Sequence, residues 1–129
     1  MNFSQTPEFQ KDVKRLSKKV KTLVDDLAAA ERYIAPLYQK LAPDVDVAEY
    51  RRNFFAGKRA AILPGSTDKI EIIKMRLDTT TPQFRQKLRL VCVAIVDDDS
   101  VTFVELYSKN DKSREDTSRI GKYISNTSP

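Results

Sequence analysis

Three short segments of this 129-residue chain carry charged or phenolic side chains two residues apart. They are Lys74 and Arg76 in "KIEIIKMRL", Lys87 and Arg89 in "KLRLVCVAIV", and Glu105, Tyr107 and Lys109 in "VTFVELYSK". Alternate residues of a β-strand share a face, so each set points one way if its segment is a strand. Cations gathered with a phenol make a surface for oxyanions, phosphate above all. The chain contains no histidine. Histidine triads, histidine metal sites and the usual proton shuttle near neutral pH are thereby excluded. Acid–base work falls to Glu, Asp, Tyr or Lys, with Arg and Lys stabilising charge.

Whether the three sets meet depends on the hairpin joining the last two segments through "DDDS". A two-residue loop at Asp98–Asp99 puts Arg89 opposite Ser108, on the face away from Tyr107. A three-residue loop at 97–99 pairs Val96 with Ser100, Arg89 with Tyr107 and Lys87 with Lys109. It also leaves Leu88, Leu90 and Cys92 beside Leu106 and Val104 as an apolar face. A one-residue slip flips every side chain, so the register with a dry face is the one expected. Lys74 and Arg76 then join from the neighbouring strand. A solvated sheet edge, with lysines discouraging edge pairing, is the plainer reading of the same charges.

The rest of the chain must position these strands. Residues 6–41 carry a helical pattern: Thr6 as cap, Pro7 at the first position, then Phe9, Val13, Leu16 and Val20. A single helix through Leu41 would run about 50 Å, against a globule of about 36 Å. A helical hairpin is therefore expected, with Ser17 capping its second arm and Pro36 bending or shortening it. "MNFSQ" reads as a short edge strand. A short helix is expected near Val47–Phe55, where Tyr50, Phe54 and Phe55 interleave with Arg51, Arg52, Lys58 and Arg59. Such interleaving suits single-strand stacking, although packed aromatics beside solvated cations are the commoner reading. "SREDTSRIGKYI" suggests a last helix with a capping box at Ser113 and Asp116, although Gly121 weakens it.

Composition sets the outer bounds. Apolar content of 40% with 32% charged residues fits one folded domain. The net charge of +5 favours an anionic partner without requiring one. The lone Cys92, inside an apolar run, reads as a small buried hydrophobe. It excludes an intrachain disulfide and points to a reducing cytoplasm. The amino terminus lacks a signal pattern and no stretch approaches 18 apolar residues, so a cytoplasmic protein without membrane attachment is expected.

On these residues the chain resembles the RelE/ParE superfamily of bacterial toxin–antitoxin toxins. "TPEFQKDVKRLSKKVKTLVDDL" is similar to the family's amino-terminal helical hairpin. "IEIIKMRL" and "LRLVCVAIVDDDSVTFVELYSKNDK" are similar to its central strands. The resemblance covers most of the single domain 1–129 apart from an atypical inserted segment at about 42–68. It implies an α+β fold, with an N-terminal helical hairpin packed on a small antiparallel sheet and a short C-terminal helix. It also implies a cognate antitoxin that wraps the toxin. RelE-like members cut mRNA on the ribosome, whereas ParE-like members inhibit DNA gyrase.

By position, Arg89, Lys74, Arg76 and Lys109 match the family's basic residues. Tyr107 is not its downstream tyrosine, and "TTTPQFRQK" replaces its glycine-rich approach to the middle strand. The function implied is a ribosome-dependent mRNA endoribonuclease without metal or cofactor. Arg89 and Lys74 would stabilise the scissile phosphate, Lys109 and Arg76 bind or protonate, and Tyr107 or Glu105 act as base. Arg85, Lys87, Lys112, Arg51 and Arg52 would bind RNA. The surrounding cations are expected to lower Tyr107 from its ordinary pKa near 10. Non-catalytic inhibition of gyrase and a non-toxic nucleic-acid-binding module remain open alternatives.

Overall fold

The computed structural model describes residues 1–39 and 43–127. Thr6 accepts the Phe9 N–H at 3.1 Å, and Pro7 opens α1 (Pro7–Leu16), where its missing N–H costs no helical bond. Phe9, Asp12 and Leu16 form the buried stripe of α1. The expected break falls at Ser17, but Ser17 closes α1 rather than capping α2, its hydroxyl donating back to the Lys14 carbonyl. The chain then turns, and α2 begins only at Leu23 (Leu23–Ile34). Pro36 cannot continue an α-helix, and Ala35–Leu37 tightens into a 3-10 turn. The expected end of the pattern at Leu41 lies outside the described residues. Asp46 accepts the Glu49 N–H and starts α3 over Val47–Phe55, the span expected.

Five strands follow the order β1 (Asn2–Gln5), β5 (Ser100–Ser108), β4 (Leu88–Ile95), β3 (Ile70–Arg76), β2 (Ala60–Ile62). β1 runs parallel to β5 and the other pairs are antiparallel, so the sheet is mixed where an antiparallel one was expected. With α4 (Thr117–Thr127) the architecture is α+β, four α-helices and one five-stranded sheet among the described residues. α4 starts at Thr117 because Asp116, not Ser113, is its cap: the Asp116 carboxylate accepts the Arg119 N–H at 3.0 Å.

Both faces of the sheet are covered. Ile73, Leu90, Cys92 and Phe103 pack under α1 and α2 against Phe9, Leu16 and Ile34. Ile72, Val91, Val93 and Val104 pack on the other face against Ile120 of α4. Burying one such side chain contributes roughly 1.5–3 kcal/mol. Cys92 is fully buried, and burial pushes its thiol up to about 12, so it packs rather than reacts.

β5 departs from strict alternation. Ile95 pairs with Ser100 across a four-residue connection, Val96–Asp99, in which Asp99 takes a left-handed φ of 52°. That register would put Arg89 out of step with Tyr107. A β-bulge restores it: Val91 pairs with Glu105 and Cys92 with Phe103, so Val104 is the extra residue. Strict alternation grouped Thr102 and Val104 with Leu106. Instead Val101, Phe103 and Leu106 share the α1 side while Val104 and Tyr107 share the α4 side. The driving force is packing: the loop-side register seats Phe103 against Phe9, 5.4 Å between ring centroids, and without the extra residue it would turn Leu106 out of the α1-side core and Tyr107 into it.

β1 covers β5 only as far as Phe103. Beyond it, the exposed edge is closed by a buried ion pair from two distant helices. Asp12 accepts the Leu106 N–H at 3.0 Å and Arg119 donates to the Val104 carbonyl at 3.1 Å. The two side chains meet at 2.6 Å. Asp12 is a polar residue on a buried helix stripe because it finishes hydrogen bonds that a sixth strand would otherwise make.

Candidate anion-binding site

On the α4 face of the sheet, directly paired residues form rungs across β3, β4 and β5. Lys74, Val91 and Glu105 make one rung, and Arg76, Arg89 and Tyr107 make the next. The Lys109 N–H donates to the Lys87 carbonyl at 2.7 Å, so these two cations flank the end of the array. Side chains directly opposite lie about 5 Å apart at Cβ. Arg76 and Arg89 therefore face each other as like charges, and neither makes an ion pair among the described residues. Burial first, then the Arg76 charge, pushes the Arg89 guanidinium below its usual value. Two Arg89 hydrogen bonds, to the Gln86 and Leu88 carbonyls at 3.0 and 3.1 Å, fix its orientation.

Among the described residues, three buried polar atoms lack a hydrogen-bond partner: Arg76 Nε, Tyr107 Oη and Glu115 Oε2. All three belong to this face, the first two to the same rung. Buried polar atoms are nearly always partnered; the two donors, Arg76 Nε and Tyr107 Oη, beside two unneutralised guanidiniums mark a place where an oxyanion would satisfy both, whereas Glu115 Oε2 only accepts and calls for a donor.

The segment after β5 folds back over these rungs. Lys112 pairs with the buried Glu105 and lies 5.0 Å from the centroid of the Tyr107 ring. Glu105 also accepts the Asp116 N–H at 2.7 Å, which ties the start of α4 to the bulge. Lys74 meets Glu115 at 3.3 Å, and Lys109 donates to the Ser113 carbonyl. Tyr107 is only 2% exposed. Burial, followed by Glu115 and Glu105, pushes its phenol up to about 12, and Arg89 and Arg114 only partly oppose this. The expected lowering by cations does not occur, because burial and two carboxylates outweigh them. At neutral pH Tyr107 is a hydrogen-bond donor, not a base. Glu105 is occupied by Lys112 and a backbone N–H.

The remaining basic candidates are placed differently. Lys87, Arg85 and Lys109 are exposed near the arginine rung. Arg51 sits on the opposite side of the sheet. It pairs with Glu71 at 2.7 Å, donates to the Leu37 carbonyl and lies over the rings of Tyr38 and Phe55. It joins α3 to β3 and does not reach the patch. Its neighbour Arg52 is exposed on the same helix. The aromatics interleaved there pack together, Phe54 against Phe55 at 5.0 Å, and Tyr50 donates to the Tyr33 carbonyl.

Glu115 is the site residue that sequence reasoning passed over. It lay inside a charged run read as a capping box, and only its fold-back onto Lys74 reveals it. No group of three or more His, Cys, Asp or Glu side chains suited to a metal occurs among the described residues, and no described helix is long and apolar enough to cross a membrane. No family model, curated protein or solved structure matches this chain.

Proposed function

We propose that the chain binds the phosphodiester backbone of RNA on the Arg76–Arg89–Tyr107 rung and acts as a RelE/ParE-type toxin that cleaves mRNA on the ribosome. The observation that carries this reading is the facing pair of arginines without a carboxylate partner, beside a buried phenol with no hydrogen bond. In cleavage by the ribose 2′-hydroxyl, the phosphorane carries more negative charge than the ground state. Fixed guanidiniums and a phenolic O–H therefore stabilise it preferentially. Arg89 and Arg76 hold the phosphate, Tyr107 donates to a phosphoryl oxygen, and Lys87, Arg85 and Lys109 extend the contact along the strand. A cognate antitoxin would wrap the toxin, as the resemblance implies.

Primer extension on an mRNA with translating ribosomes tests it. Codon-positioned cuts are expected with the wild-type protein and not with Arg89→Ala. One observation favours a second reading: neither Tyr107 nor Glu105 offers a free base, as a non-catalytic binder of nucleic acid or an inhibitor of gyrase would not need one. An intact message with folded protein, together with inhibition in a DNA supercoiling assay, would establish that alternative.

A further inference from the structure

Two strand steps along β3 from Arg76, past Lys74, the α4 face of the sheet opens into a groove of about 420 Å³. Leu63 and Gly65 form one wall, Ile120, Gly121 and Ile124 of α4 the other, and Ile72 of β3 lies between them. A Cβ on Gly121 would meet nothing within 4 Å, so this mid-helix glycine leaves the groove wide. Ile72, Lys74 and Arg76 succeed one another on one side of β3, about 7 Å apart. Groove and arginines are thus continuous, with Lys74 between them.

Glu115 also lines the groove. Its side chain is 8% exposed, accepts from Lys74 at Oε1 at 3.3 Å, and leaves Oε2 buried without a partner. Burial works against its charge, but the pull of its own backbone N–H and of Lys74 holds the carboxyl below the usual range. A buried carboxylate oxygen only accepts, so the missing partner is an N–H or O–H donor. An occupant must therefore combine an apolar body over Ile72, a donor at Glu115 beside Lys74, and an anionic group one strand step beyond Lys74 on the arginines. An aliphatic acid would find a cation in Arg114, which also lines the groove, but lacks the donor that Glu115 requires. A nucleotide has all three.

We propose that this groove receives the base of a nucleotide whose phosphate lies on Arg76 and Arg89, and that Glu115 selects a base with an exocyclic amino group over uracil. The proposal rests on the phosphodiester reading above. The amino groups of cytosine and adenine project two hydrogens beyond the ring, and that of cytosine carries one on its C5 side, clear of any ring acceptor. The uracil N–H lies between two carbonyl oxygens that repel a carboxylate. Pairing of Glu with the cytosine amino group is an established mode of base readout.

Two measurements separate the groove from the arginines. In the first, isoleucine-methyl-labelled protein is titrated with free cytidine, adenosine and uridine. The Ile120 and Ile124 methyl signals are expected to shift with the first two, and the response is expected to vanish in Gly121→Leu, which fills the groove. In the second, fluorescence anisotropy compares oligo(C) with oligo(U), expected to differ about 10-fold, a difference lost in Glu115→Ala. Methyl signals that stay put, or move equally with uridine, would overturn the base site while salt-dependent oligo(U) binding kept the phosphate reading intact. Nucleoside shifts without salt-dependent oligonucleotide binding would remove the phosphate reading, and the proposed nucleotide with it.

Discussion

Replacing Arg89 by methionine separates a binding role from a structural one. Methionine keeps an unbranched stem and removes the charge. On the stability side the variant loses two hydrogen bonds to backbone carbonyls, at roughly 0.5–1.5 kcal/mol each. It also loses the repulsion from Arg76 directly opposite, which gives back up to about 1 kcal/mol. The net cost is about 1 kcal/mol, or about 4 °C in Tm for a domain of this size. On the binding side, Arg76, Arg89, Arg85, Lys87 and Lys109 are five cations on one surface. At about −0.7 per neutralised phosphate on single strands, the log–log salt slope is about −3.5, and one lost contact brings it to about −2.8. Anisotropy of a labelled oligo(U) between low and high salt measures the slope, and a thermal melt measures the stability. A variant that melted more than 10 °C lower while keeping its salt slope would refute the reasoning, because Arg89 would then support the fold and not the ligand.

Asp12→Ala removes the acceptor for Leu106 N–H and leaves Arg119 without its closest partner; urea unfolding should show a loss of about 3–5 kcal/mol, and a loss under 1 kcal/mol would mean water substitutes at the edge. The Tyr107 phenol, pushed up to about 12, stays protonated in the fold while the unfolded chain ionises near 10. Stability present below pH 10 should therefore fall between about pH 10 and 12, a fall that Tyr107→Phe makes shallower in urea melts at pH 9 and 11. Since Tyr107 Oη has no partner, the same variant should be nearly neutral at pH 7. Gly121→Ala places its Cβ in open space, and the better helix former should raise stability by up to about 1 kcal/mol in a thermal melt.

β3, β4 and β5 were legible because Ile- and Val-rich segments with polar residues at alternate positions have few other ways to fold. The Arg89–Tyr107 pairing followed from keeping Leu88, Leu90 and Leu106 together. The route to it did not. Every residue of β5 from Val101 to Ser108 is buried, so no exposed polar position marked where alternation slipped, and the bulge at Val104 left no trace. The parallel partner of β1 was equally hidden, since its contacts lie 98 residues away and no local pattern specifies them. Tyr107 was misjudged because counting nearby cations measures charge and ignores burial. Arg51 was misplaced for a related reason: a cation among aromatics looks the same in sequence whether it waits for RNA or pairs with a glutamate on β3.

The Asp12–Arg119 closure and the β1–β5 pairing carry a consequence for synthesis. The first strand emerges from the ribosome long before its partner, the two joined by a Ser4–Thr102 contact across 98 residues. At about 5–20 residues per second, that wait is roughly 5–20 s. Throughout it, Phe3 and Phe9 have no Phe103 to pack against, and Asp12 sits on a helix with no strand to cap. Translation halted before Phe103 thus gives a chain without the strand that links β1 to the rest of the sheet, incapable of reaching a weakened version of this fold. The molecule becomes a protein only when its penultimate element arrives, and until then its amino-terminal quarter is a client for whatever shields apolar segments at the exit tunnel.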